Sequence, residues 1–190
     1  LEEGLHVVSN DGRNFLVAGV KQYDVIVSEP SNPWITGVSN LFTEDHYQAA
    51  VKSLAPGGVY CQWIQLYEMS LPNIKTLFKT FATVFPHVAV FAADPLSSDT
   101  IMLGSFEPLT FDLQRVETLF ADPQVHEAMV AAGISGPHDV AGRIIFASQA
   151  EALEYCGDAE VNTDDNALIE FAAPRDLIGV SSQQASASEI

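Results

Sequence analysis

Three polar clusters in this sequence combine residue types that could handle a charged ligand. Asp11-Gly12, within Ser9-Asn10-Asp11-Gly12, offers a carboxylate to accept hydrogen bonds, and a glycine that lets a ligand approach the backbone. Glu29 to Trp34 reads Glu-Pro-Ser-Asn-Pro-Trp; its two prolines stiffen the loop and push Glu29 and Asn32 toward extended backbone. A carboxylate just past a buried strand is costly unless it meets a cation or a proton. Glu29 is therefore the candidate for holding a cationic group or taking its proton. Gln62 and Gln65 flank Trp63 and would set amide groups beside an aromatic wall. Each cluster has a plainer reading: a turn, a solvent-facing loop acid, and a capped strand with a core tryptophan.

Other chemistries find less support. The histidines (His6, His46, His87, His126, His138) are scattered without metal spacing, and GxSxG, P-loop and GxGxxG motifs are missing. Asn162, Asp164 and Asp165 resemble part of a calcium loop that lacks its glycine and terminal glutamate. No metal is expected. With 8 Lys+Arg against 25 Asp+Glu, the net charge of −17 argues against nucleic acid, whose phosphates demand a basic face. It suits a small cationic partner. Two cysteines, Cys61 and Cys156, are too few for a disulfide framework and fit a reducing, cytoplasmic setting. No run reaches the roughly 18 apolar residues of a membrane helix.

The elements that must position these clusters follow from periodicity. His6-Val7-Val8 reads as a short strand and Arg13 to Val20 as a helix. Tyr23 to Val27 is a nearly continuous β-branched run, which predicts a strand covered on both faces as in a parallel sheet. Thr43 caps a helix whose Tyr47, Ala50, Val51 and Leu54 share one face; Pro56-Gly57-Gly58 stops it before a strand over Val59–Ile64. Ser70 caps a second helix with the stripe Ile74, Leu77, Phe78, Phe81, Val84, and strands follow at Val88–Phe91 and Thr100–Leu103. This alternation predicts a mainly parallel, doubly wound α/β sheet. Ligands of such sheets gather outside the carboxyl ends of the strands, where all three clusters fall.

From Phe106 the texture becomes helical, with starts at Asp112, Asp122-Pro123 and Ser148. The expected organisation is an α/β domain over 1–108, a helical extension over 109–176 and a disordered tail over 177–190. The tail's Ser181–Ser188 is rich in Ser, Ala and Gln.

Tyr23 to Trp34, Leu41-Phe42-Thr43-Glu44-Asp45-His46-Tyr47 and Leu54 to Trp63 together resemble the spermidine/spermine synthase family of polyamine aminopropyltransferases. Asn162 to Asn166 and Glu170 to Arg175 resemble the C-terminal signature of its bacterial branch, often fused behind membrane helices. The resemblance implies a class I methyltransferase-like, Rossmann-type fold. It implies transfer of an aminopropyl group from decarboxylated S-adenosylmethionine, a co-substrate, to a small cationic amine. By position, Asp11 and Gly12 match the segment at the nucleoside's adenine and Glu29 matches the catalytic aspartate. Asn32 matches a second aspartate, and Asn32, Trp34, Gln62 and Gln65 would line the amine side. The family's glycine-rich loop and ribose-binding acid are expected upstream of Leu1, so the first strands of the fold would be missing. A homodimer and an upstream membrane domain in the same parent chain are compatible partners, the latter making this the cytoplasmic domain of an inner-membrane protein. A methyltransferase using S-adenosylmethionine, or a non-catalytic ligand-sensing domain, are the alternatives.

Overall fold

In the computed structural model, residues 4–19, 21–94 and 98–178 are described; Ser181–Ser188 lies outside them. Asp11 starts the first helix, its carboxylate accepting from the Asn14 N–H at 2.7 Å, and α1 runs Gly12–Ala18. Strand β1 (Tyr23–Ser28) leads through the proline loop to a 3-10 turn, Ser39–Phe42. The Thr43 hydroxyl then caps α2 (Glu44–Lys52), with Glu44 and Asp45 in the first turn, where the helix dipole favours acids. Next come β2 (Leu54–Gln65), α3 (Leu71–Val84), β3 (His87–Ala92) and β4 (Asp99–Ser105). The helical region holds α4 (Leu113–Phe120), α5 (Pro123–Ala131) and α6 (Pro137–Ala141). A short strand, β5 (Ile144–Phe146), and the helices α7 (Gln149–Cys156) and α8 (Leu168–Ile178) complete the described elements. Helix α8 thus includes Leu177, beyond the expected boundary at 176.

The α/β class stands, but the sheet is mixed rather than mainly parallel. Its order is β1-β2-β4-β3-β5, and only β1 and β2 run parallel. The reason lies in connection length. Parallel neighbours need a crossover of a dozen or more residues, which α2 and its flanking loops supply between β1 and β2. Between β3 and β4 residues 93–98 leave room only for an antiparallel return.

Two further expectations fail on the same edge. His6–Val8 is not a strand: it has no sheet partner among the described residues, and Val7 and Val8 are exposed. Nor is β1 covered on both faces, since Val25 is 58% and Val27 66% exposed. A β-branched run makes a strand favourable, but what packs across it is decided elsewhere in the chain.

The core sits on one face of the sheet. Tyr60, Ile64, Val88, Val90 and Met102 point into it, against Tyr47 and Ala50 of α2 and Ile74, Leu77, Phe78 and Phe81 of α3. Gly104 is forced by this packing. A Cβ there would lie 2.4 Å from Phe85 Cγ and 2.8 Å from Phe81 Cζ, and both rings are fully buried. Gly104→Ala should cost about 1–3 kcal/mol by overpacking. Urea unfolding measures it, and a loss below about 0.5 kcal/mol, a surface-like value, would mean the rings swing aside freely.

Candidate active site

Because β1 and β2 are parallel, their carboxyl ends share one rim, with Ser28 registered opposite Gln62. Gln62 is fully buried and its amide is spent inside the protein. Nε2–H donates to the carbonyls of Ser28 (3.3 Å) and Trp63 (3.0 Å), and Oε1 accepts from the Tyr60 hydroxyl at 3.1 Å. That hydroxyl is 3.0 Å from His46 Nε2. Since it gives its proton to Gln62, it accepts from an Nε2–H, leaving His46 Nδ1 as a bare acceptor. Nδ1 is buried with no hydrogen-bond partner among the described residues. Burial, reinforced by the positive charge of Arg13, holds the His46 pKa down to about 4, and burial likewise pushes the Tyr60 phenol up. Gln62 therefore fixes the carbonyl that precedes Glu29, rather than presenting an amide to the rim.

Glu29 stands exposed at that rim and makes no hydrogen bond or ion pair among the described residues. The loop beyond it folds back through the Ile35 N–H to the Asn32 carbonyl, 3.0 Å. The Asn32 amide donates to the Tyr67 hydroxyl at 3.4 Å, and the Trp34 ring meets the Tyr67 ring edge-on, centroids 5.7 Å apart. The loops after β1 and β2 thus touch through an aromatic pair. Glu68, beside Tyr67, is held at φ 58°, a left-handed conformation that costs a non-glycine residue on the order of 1 kcal/mol or more.

The structure separates other members of the sequence clusters. Strand alternation puts Gln62 on the core face, while Trp63 and Gln65 point to the opposite one; there Gln65 pairs with Asp99 in register. Gln65 Oε1 is buried without a hydrogen-bond partner among the described residues. Asp11 is the N-cap of α1. Gly12 lines a cleft of about 480 Å³ with His6, Phe15, Tyr23 and Val25, along the free edge of β1. No hydrogen bond, ion pair or ring contact among the described residues joins Asp11 or Gly12 to Glu29, Asn32 or Gln62.

Tyr67 escaped the sequence reading, although an aromatic residue just past a strand end was a usable signal. So did Asp176 of α8 and the role of Glu170, which opens the second part of the C-terminal signature. Glu170 accepts from the Gly37 N–H (3.3 Å) and the Ser39 hydroxyl; Asp176 accepts from the Ser70 N–H (2.7 Å) and the Asn73 amide (2.6 Å). Ser70 starts α3 as expected, but its hydroxyl makes no capping bond. The Asn162–Asn166 turn is a structural tie. Buried Asn162 bonds the Phe42 carbonyl, and Asp164 pairs with Arg13 and accepts from Thr43. The hydrogen bond from Arg13 holds the Asp164 carboxyl below its ordinary range. Among the described residues no group of three or more His, Cys, Asp or Glu could hold a metal ion, and no helix is long and apolar enough to cross a membrane.

Residues 2–102, just over half of the 190, match the family model for the spermine/spermidine synthase domain. No curated protein matches the chain. Among solved structures, a probable spermidine synthase from Corynebacterium glutamicum ATCC 13032 is similar, with a TM-score of 0.55 and 19% identity. The match covers 93% of this chain and 55% of that one, so this chain spans about half the length of its relative. At that identity the likeness is one of fold, an α/β fold of the methyltransferase-like kind.

Proposed function

The chain belongs to the spermine/spermidine synthase family, and from that premise we propose that it takes part in aminopropyl transfer from decarboxylated S-adenosylmethionine to a small cationic diamine. The observation that carries the reading is the Glu29 carboxylate, exposed at the joint rim of β1 and β2 with no partner among the described residues, at the head of the loop that brings Asn32 and Trp34 to Tyr67. A protonated amine is no nucleophile, so the rim must orient the amine and accept its proton. The freed nitrogen lone pair attacks the methylene carbon next to the sulfonium. The new C–N bond forms as the C–S bond breaks, the sulfur leaves as a neutral thioether, and the released proton passes to Glu29. Asn32 and the aromatic edges would hold the rest of the diamine in line.

In this reading Gln62 acts through the Ser28 carbonyl, and Asp11 and Gly12 lie on the nucleoside side. The site is cytoplasmic, and a homodimer and an upstream membrane domain are its proposed partners. The inward-turned Gln62 amide favours a second reading, a domain that binds a cationic ligand without turning it over. Calorimetry and turnover on the protein separate the two. Heat of binding and a new secondary amine product from decarboxylated S-adenosylmethionine plus a diamine support transfer. Diamine binding with no product supports the sensor, and product only from S-adenosylmethionine itself supports methyl transfer.

A further inference from the structure

The two loops that meet at the rim belong to different strands and touch each other through Asn32, Trp34 and Tyr67. Helix α8 reaches both. Near its start, Glu170 accepts from the backbone N–H of Gly37 and the hydroxyl of buried Ser39, just beyond the Glu29–Trp34 loop. Gly37 takes φ +83°, a conformation that favours glycine. Near the other end of α8, Asp176 accepts from the Ser70 N–H and the Asn73 amide, just beyond Tyr67 and Glu68. Ile169, just before Glu170, and Ala173, between the two carboxylates, are both fully buried and fix the helix in the core.

The position of Asp176 is informative. A carboxylate in the last turn of its own helix opposes the helix dipole. Here it is offset by capping α3, whose own Ser70 side chain makes no cap bond. One helix thus carries an anionic acceptor for each loop, with Pro174 between the two, and such charge-assisted bonds are the stronger kind.

We infer that α8 is a clamp: Glu170 and Asp176 are positioning residues that set the separation of the two rim loops, and with it the length of diamine that the cleft selects. The length-selection half of this inference rests on the proposed function. The clamp itself does not.

The test uses amide hydrogen exchange together with diamine titrations followed by Trp34 fluorescence, in a Trp63→Phe background that leaves Trp34 as the reporter. Glu170→Ala should speed exchange of the Gly37 amide on the order of tenfold or more, with Glu170→Gln, which keeps an acceptor, falling between it and the parent. Asp176→Ala should do the same for Ser70, with Asp176→Asn in between. Across diamines of increasing length, the ratio of the tightest to the weakest affinity should shrink on the order of tenfold in both loosened variants. Unchanged exchange at Gly37 and Ser70 in folded variants overturns the clamp, and loosened loops with an unaltered length profile overturn its role in selection. If the parent binds no diamine, the aminopropyl-transfer reading falls, and the exchange data alone decide the clamp.

Discussion

Glu29→Gln keeps the shape of the side chain, removes its charge, and should lower kcat/KM for aminopropyl transfer on the order of 10²–10⁴-fold, the usual worth of a positioned general base. The loss should fall on kcat more than on KM, because a neutral amide still fills the rim but cannot take the proton released as the C–N bond forms. Stability should change little, since Glu29 is exposed and holds no partner among the described residues. Glu29→Asp is the informative companion. It shortens the side chain by one methylene to the family's usual acid, and misplacements of about 1 Å weigh on the order of a hundredfold in either direction. Gln and Asp variants that both match the parent in kcat would remove Glu29 from the chemistry and leave the sensor reading in place.

The second large effect concerns pH and folding. His46 titrates near 6.5 in an unfolded chain and is held to about 4 in the fold, first by burial and then by Arg13, with Asp164 and Asp11 pulling the other way. Between those values the unfolded chain binds more protons than the folded one. Stability is therefore fully present above about pH 6.5 and declines as pH falls toward 4, by on the order of 3 kcal/mol at the bottom of that window. The Arg13–Asp164 pair acts in a different window. Because the Asp164 carboxyl is held below 3.8, its contribution is present above that value and is lost only in stronger acid. His46→Gln keeps an N–H donor for Tyr60 but cannot titrate, so its urea midpoint should stay flat from neutral pH down to about pH 4. Parallel slopes for parent and variant would show that His46 does not carry this loss.

The elements closest to the site were legible because local periodicity dictates them. Thr43 ahead of two acids, and the stripe Ile74, Leu77, Phe78, Phe81, each specify a helix with one buried face before any tertiary contact exists. Strand direction was legible only in part. The short link across residues 93–98 already forbade a parallel pairing of β3 with β4, but a list of alternating elements does not weigh link lengths. The Glu29–Trp34 loop could be singled out from its prolines and its place after β1. The fate of Gln62 could not, because its partners are the Tyr60 hydroxyl, itself held by His46, and the Ser28 and Trp63 carbonyls. Gln62 and Gln65 look like a pair in the chain, and the two-residue alternation of a strand sends them to opposite faces. Glu170 and Asp176 lie more than a hundred residues from the groups they bind. No spacing rule connects such positions.

Arg13 is joined to Asp164, the 3-10 turn to Glu170, and the first turn of α3 to Asp176. A ribosome delivers residues in chain order, so the early loops emerge well before the groups that fasten them. The nascent protein can bury its aromatic core while its cleft is still slack. The ties to Glu170 and Asp176 can form only after α8 has emerged, so the loops they fasten wait for a helix made more than a hundred residues later.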